Sequence, residues 1–479
     1  MGITATRRGF LAMSTTLATL LAACGSNQQS GDSGVTATNA TGSGTQGNRE
    51  QITNDSDGGH AIEVTGEQKR YAAVDVTKTG DAEGDEADFY GANAAVFATE
   101  AATLDLEDVT VTTDGTHANA IFAYGEGTKV TVAKSSIQTS GNCSGGLMVT
   151  GGGTLEAQDL TIHTTGNSSA AIRSDRGGGT QTVTGGTYAT DGTGSPVIYS
   201  TANVSVSNAQ LTSTASQGVV VEGKNSVALK DCELHANNNT KNSDKSDWFQ
   251  AVMIYQSMSG DAAQGEASFA MDGGSLSNAN GDVFFVNNTV ATITLSGVQI
   301  ANEDADGNLL RAAAAGWGSE GSNGGHVTLK ATGQELAGTM LVDDVSSLNL
   351  YVSEGSAFVG AINPSEQAGD VYVEIADGST WELTTDAHVS SLTCGTDAIS
   401  LKGHTLNVGD QTYQEGTASA GEPIEVEVSS AGGPGGTPPD APDGGPGGTP
   451  PDGAGGGDKP PAKPDGTGGQ GEPPTQPSN

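Results

Sequence analysis

Residues 144–153 read SGGLMVTGGG, residues 170–179 read AAIRSDRGGG, and residues 194–201 read GSPVIYST. Each is a short apolar or mixed run closed by glycine or hydroxyl residues, and the runs come back at a nearly constant interval. Val96, Ile121, Leu147, Ile172, Val197 and Val219 open the runs VFA, IFAY, LMVT, IRSD, VIYS and VVVE, at separations of 25, 26, 25, 25 and 22 residues. VMIY (252–255), VFFV (283–286) and MLV (340–342) continue the column at wider intervals. Between these runs lie strands with period-two alternation, such as Leu104/Leu106, Val130/Val132, Val204/Val206 and Ile293/Leu295, bounded by Gly, Asn, Asp and Ser. No stretch of the repeat carries a helical apolar period, and the Leu and Asn framework of a leucine-rich repeat is missing. Repeats of 22 to 26 residues with two or three strands each predict an all-β fold, a single right-handed parallel β-helix of about a dozen coils. At a strand spacing of roughly 4.8 Å that is a rod of roughly 55–60 Å.

The flanks have a different character. TATRRGFLAMSTTLATLLAACGS places Arg7 and Arg8 ahead of a short apolar run that ends in Leu-Ala-Ala-Cys24. Positive charge before a short apolar run is an export signal, and the run is too short and too polar to span a bilayer. Its ending resembles a lipobox, which implies a lipidated Cys24. Thr6–Leu11 resembles a twin-arginine signal, although Ala12 stands where a Lys is usual and leaves general secretory export open. We therefore divide the chain into a lipoprotein signal (1–24), a flexible tether (25–50), the β-helix (51–427) and a disordered Gly/Pro/Asp-rich tail (428–479), in which GGPGGTPPD occurs twice. The expected address is the outer face of the cell membrane, held by the lipid anchor alone, with the protein a monomer. A formal charge of −38 repels phosphate backbones and argues against nucleic acid as a partner.

Stacked coils also bear on the cysteines. Cys143 and Cys232 fall about four coils apart, roughly 19 Å, whereas a disulfide needs Cα atoms within about 7 Å. Cys143, Cys232 and Cys394 are all expected to be unpaired. They lack metal-ligand spacing.

Candidate functional residues fall in three places. Arg173, Asp175 and Arg176 form a charged corner, with Arg173 expected to stack between Met148 and Ile198. Glu222, two coils on, is the nearest carboxylate in the Asp175 column. The two form no calcium-binding set of converging oxygens and stand roughly 10 Å apart, wide for a glycosidase pair. The expected arrangement is an Asp175–arginine ion pair at a glycine-permitted turn, with a carbohydrate or anion contact as the functional alternative. Long inserts carrying Trp248, Phe249 and Trp317, with Tyr255 nearby, offer aromatic faces on which sugars stack; the alternative is that these rings fold back onto the rod. Asn302, Asp304 and Asp306 alternate before Gly307 like the start of an EF-hand loop, but Ala313 occupies the position of its last ligand, so a weak Ca²⁺ site competes with an acidic turn.

With the coils laid out, SGGLMVTGGG, AAIRSDRGGG, GSPVIYST, GVVVEGKNSV (218–227), VMIYQSMSGDA (252–262) and GWGSEGSNGG (316–325) resemble the pectate-lyase-like right-handed β-helix superfamily. More narrowly, they resemble the adhesin-like surface lipoproteins of gut bacteria. That resemblance implies a β-helix at the cell surface and transfers no catalytic residue. The expected function is a non-catalytic adhesin-like lipoprotein binding carbohydrate or another surface ligand through loops. The alternatives are a polysaccharide lyase or glycoside hydrolase, marked by carboxylates on adjacent coils beside a Lys or Arg, and an envelope spacer.

Overall fold

A computed structural model describes residues 49–426, apart from 258 and 367. The signal, lipidation, tether and tail assignments fall outside the described residues.

Successive coils stack as parallel strands in three sheets, of ten, fourteen and thirteen strands, here called A, B and C. Sheet A begins at Glu50–Asn54, sheet B at Ile62–Thr65 and sheet C at Gln68–Ala72, and the chain visits B, C and A in turn. This is a single parallel β-helix. Right-handed coiling is the sense that parallel crossovers adopt. Sheet A ends at Gln299–Asn302, and the coils after it carry strands of sheets B and C, joined from Ala387 on by strands of a further sheet. A small three-stranded sheet, Ala387–Val389, Leu406–Val408 and Gln411–Thr412, follows near the C-terminal end.

The core is the stack of inward positions. Sheet C strands alternate buried and solvent-facing residues, as in Lys129–Ala133 and Asn203–Ser207. Sheet B strands behave differently: Val96–Thr99, Leu147–Thr150, Val219–Glu222 and Gln250–Tyr255 are buried at every position. A strand with no exposed face is covered on both sides, which is why these segments read as continuous apolar runs. The C-to-A corner is a tight turn through the left-handed region. Asp108, Lys134, Asp159, Asn208 and Asp231 hold φ between 50° and 54° there, a conformation Asn and Asp tolerate better than most.

The A-to-B corner is held by side chains instead. Gly141-Asn-Cys-Ser144, Gly166-Asn-Ser-Ser169 and Gly192-Thr-Gly-Ser195 stack directly. The Ser144 and Ser169 amides donate to the hydroxyls of Ser169 and Ser195, both at 2.9 Å. The Ser144, Ser169 and Ser195 hydroxyls donate to the carbonyls of Gly115, Gly141 and Gly166 at 2.8, 3.1 and 2.8 Å. Thr139, Thr164 and Thr190, on the inner column of sheet A, donate to the serine carbonyls. Backbone groups buried in this corner are thereby satisfied without water, coil after coil.

The expectation for the cysteines is corrected in part. Cys232 and Cys394 are free and buried, but Cys143 is disulfide-bonded. Coil stacking limits pairing only between cysteines on the rod.

Candidate functional site

The sequence-derived candidates on sheet B and its flanking inserts converge on one side of the rod. Arg173 alternates with the core residue Ile172 and faces outward between Met148 and Tyr199. The second neighbour is Tyr199 and not Ile198, because Ile172 pairs with Ile198, one residue later than the apolar doublet Val197-Ile198 suggested. On the N-terminal side of Arg173, the outward Phe97, Phe122 and Met148 are buried with Ala94 beside a helical turn, α1 (Asp85–Phe89). On the C-terminal side, Val220, Met253, Tyr255 and Phe285 are buried with Ala313 and Trp317.

Between these apolar patches lies a closed polar cluster. Arg173 Nη2 donates to Asp88 Oδ1 at 2.8 Å and to Asp175 Oδ2 at 3.0 Å. Arg176 donates from Nε to Asp261 Oδ1 and from Nη1 to Asp85 Oδ2, both at 2.7 Å. Its guanidinium carbon also sits 3.7 Å from the Phe89 ring centroid. Tyr199 and Tyr255 both donate their hydroxyls to Glu222 Oε2, the latter at 3.0 Å. His117 Nδ1 lies 3.5 Å from Asp88 Oδ1. Gly177 and Gly178 both hold positive φ, so the glycines do permit the turn after Arg176. The Arg173–Asp175 ion pair expected at this corner is present. Asp88, His117, Tyr199 and Asp261 were not foreseen. Asp88 and Asp261 come from α1 and from the segment after Tyr255, each 85 residues from its arginine partner.

Two guanidinium groups face four buried carboxyl groups, with Glu222 at 0% and Asp175 at 2% exposure. Burial opposes the Asp88 charge, but Arg173 and His117 outweigh it and hold the carboxyl at about 2. Burial pushes Asp175 well above the usual range despite Arg173, with Asp261, Asp88 and Glu222 adding repulsion. Burial also raises Glu222, partly offset by hydroxyl donors from Ser257 and the two tyrosines. A carboxyl raised in the folded state keeps its proton where the unfolded chain loses it, so stability falls as pH rises above the unfolded value. The melting temperature is expected to be higher near pH 5 than near pH 8, and Glu222→Gln should flatten that dependence. A melting temperature rising steadily over the same window would contradict this reading.

The aromatic inserts fold back onto the rod. Trp317 is 2% exposed and meets Tyr255 edge-on at 5.2 Å. Half-buried Trp248 lies 5.6 Å from Phe285, with the Arg311 guanidinium 4.5 Å over its ring. The crevice beside Trp248, Phe249 and Trp317 measures about 30 Å³, room for a water molecule rather than a sugar.

Asn302, Asp304 and Asp306 lie in the turn that begins at the end of sheet A's last strand. Asp304 accepts from the Gly281 and Asp306 amides, and the Asn302 amide donates to the Gly281 carbonyl. Among the described residues, no group of three or more His, Cys, Asp or Glu side chains is arranged to hold a metal ion.

A scan of protein-family models, a search of curated proteins and a search of solved structures each find no match to this chain.

Proposed function

We propose that this chain is a non-catalytic binding rod for carbohydrate, of the adhesin-like, pectate-lyase-like kind, displayed at the cell surface. The observation that carries this reading is the closed state of the sheet B cluster. Arg173, Arg176, Asp88, Asp175, Asp261 and Glu222 each have a partner within the cluster and are largely covered, while Asp85 is exposed at its rim and Arg173 Nη1 is left without a hydrogen-bond partner. A polar ligand is favoured further because Val359 is the one large exposed hydrophobic residue among those described; an apolar protein interface would need a patch of them. The test is a glycan array probed with the purified protein, with calcium and with a chelator. Retention on at least one glycan is expected, and calcium dependence would bring the Asn302–Asp306 turn into the site. Absence of retention in both conditions would remove the reading.

A second reading, a polysaccharide-cleaving enzyme, has one observation in its favour: Asp261 and Glu222 lie near enough to Asp175, the partner of Arg173, to raise its carboxyl. It would require the cover to lift. Release of reducing ends or unsaturated products from polysaccharides, lost in Glu222→Gln, would establish it. We expect no release from either protein.

A further inference from the structure

We infer that the outer face of sheet C, from the strand Gly179–Thr184 to the strand Thr289–Ser296, binds an unbranched, uncharged polysaccharide laid along the rod axis. This rests on the carbohydrate-binding reading and moves the site from the loops to the scaffold itself.

A groove of about 550 Å³ runs along this face. Its floor is the column Thr182, Ser205, Ala228, Ala270 and Thr294, paired strand to strand in strict register. The two alanines leave room, and the flanking hydroxyls supply groups that both donate and accept. Lys230 and Asp272 stand 3.9 Å apart at the groove edge and offset one another. The groove is thus nearly neutral within a chain of formal charge −38, whose field repels acidic polymers.

The same face already holds an extended polar chain further along. Near the C-terminal end, Gly421, Glu422 and Ile424 lie across sheet C, held by single side chains that serve as donor and acceptor together. Thr393 Oγ1 donates to the Gly421 carbonyl at 3.1 Å and accepts from its amide at 3.0 Å. Ser391 Oγ treats Glu422 alike, at 2.9 and 3.0 Å. The Asn349 amide group does so with Ile424, at 2.9 and 2.8 Å. Ser391 and Asn349 share one column, two strand spacings or roughly 10 Å apart, and the chain passes from the first to the second between Glu422 and Ile424. This part of the segment therefore crosses the strands, along the axis. Thr393 belongs to the column that continues through Lys330 to Thr294 and the groove floor. Ser391 and Asn349 belong to the adjacent column, which continues through Thr328 and Thr292 to Asn203 and Thr180. Sugar hydroxyls are donor and acceptor at once, as these peptide units are in pairs, so a glycan on the open part of the face meets the same chemistry at each coil, every roughly 4.8 Å.

The test measures binding of cellohexaose, xylohexaose, mannohexaose and maltohexaose, with hexagalacturonate as the acidic contrast, to the full chain. The double variant Ala228→Gln/Ala270→Gln fills the groove from its outer face, and Ser205→Ala/Thr294→Ala removes hydroxyls without adding bulk. Expected is about tenfold or greater weakening for the neutral hexasaccharide that the wild type binds, at unchanged melting temperature. If the filled variant fails to fold, the hydroxyl-deletion pair carries the same expectation. Unchanged affinity in the folded variants overturns the groove while leaving carbohydrate binding intact. Preference for hexagalacturonate, or binding of the peptide GGPGGTPPD in place of every glycan, overturns the proposed occupant. Binding of none of these probes removes both this site and the reading beneath it.

Discussion

Gly166→Ala is expected to destabilise the rod by about 3 kcal/mol or more, in the upper range for forcing atoms into a packed site. A methyl group at Gly166 would stand 1.9 Å from the Gly141 carbonyl oxygen and 2.5 Å from its carbon, so backbone must move. Gly141 stands in the same relation to Gly115, and Gly192 to Gly166, at 1.9 and 1.8 Å. These glycines are required by close approach of chain to chain, since none of them holds a positive φ. Displacing one coil here also pulls the Ser169 hydroxyl from the Gly141 carbonyl and exposes the stacked amides. Denaturant titration and amide hydrogen exchange read both effects, the second as lost protection concentrated in residues 139–195. Gly395→Ala is the control, because its added methyl would meet only the Asp377 carboxylate at 3.8 Å; a change within about 0.5 kcal/mol is expected. Equal losses in the two variants would contradict the packed ladder.

Arg173→Leu is expected to cost about 3–5 kcal/mol, because the buried Asp88 carboxylate loses its cation and Asp175 its hydrogen-bond donor. The leucine restores apolar volume, so the loss reports charge rather than a cavity. Its pH dependence separates the two. In the wild type, Asp88 is held at about 2 in the folded state. It therefore contributes stability that is complete above the ordinary aspartate value near 3.8 and is lost as pH falls from there toward 2. In Arg173→Leu that contribution is gone and Asp88 and Asp175 resist ionisation, so the deficit relative to wild type should be largest near neutrality and shrink toward about pH 4. A deficit independent of pH would mean that Arg173 acts by packing alone.

Much of the scaffold was legible in the sequence because inward residues repeat with the coil. Val96, Ile121, Leu147 and Ile172 do line one column, and Val204/Val206 and Ile293/Leu295 do alternate on sheet C. The alignment slipped at Val197-Ile198, where two adjacent branched residues both suit an inward position and a coil of 26 residues gives no local clue. The cover over sheet B was not foreseen. Its signal was present in IFAY, LMVT and VFFV, whose unbroken apolar character implies burial on two faces, yet the covering segments carry few apolar residues of their own. Asp88 and Asp261 escaped for a related reason. They come from excursions off the coil, and a column rule links only residues one coil apart. The ladder at the A-to-B corner was within reach: Gly115, Gly141, Gly166 and Gly192 recur every 25 or 26 residues, three of them followed by a serine three positions on.

Cysteine pairing across neighbouring coils tests the whole account most directly. Thr182 and Ser205 are strand partners on the open face of sheet C, whereas Thr182 and Ala228 are two coils apart. Partners lie within the Cα range of roughly 4.4–6.8 Å that a disulfide accepts, and residues two strands apart, at roughly 9.6 Å, do not. Mild oxidation of Thr182→Cys/Ser205→Cys should cross-link within the monomer, while Thr182→Cys/Ala228→Cys should stay reduced. Cross-linking of the second pair but not the first would mean that the coils are wound in another register, and the groove, the corner ladder and the Arg173 cluster would lose their common frame.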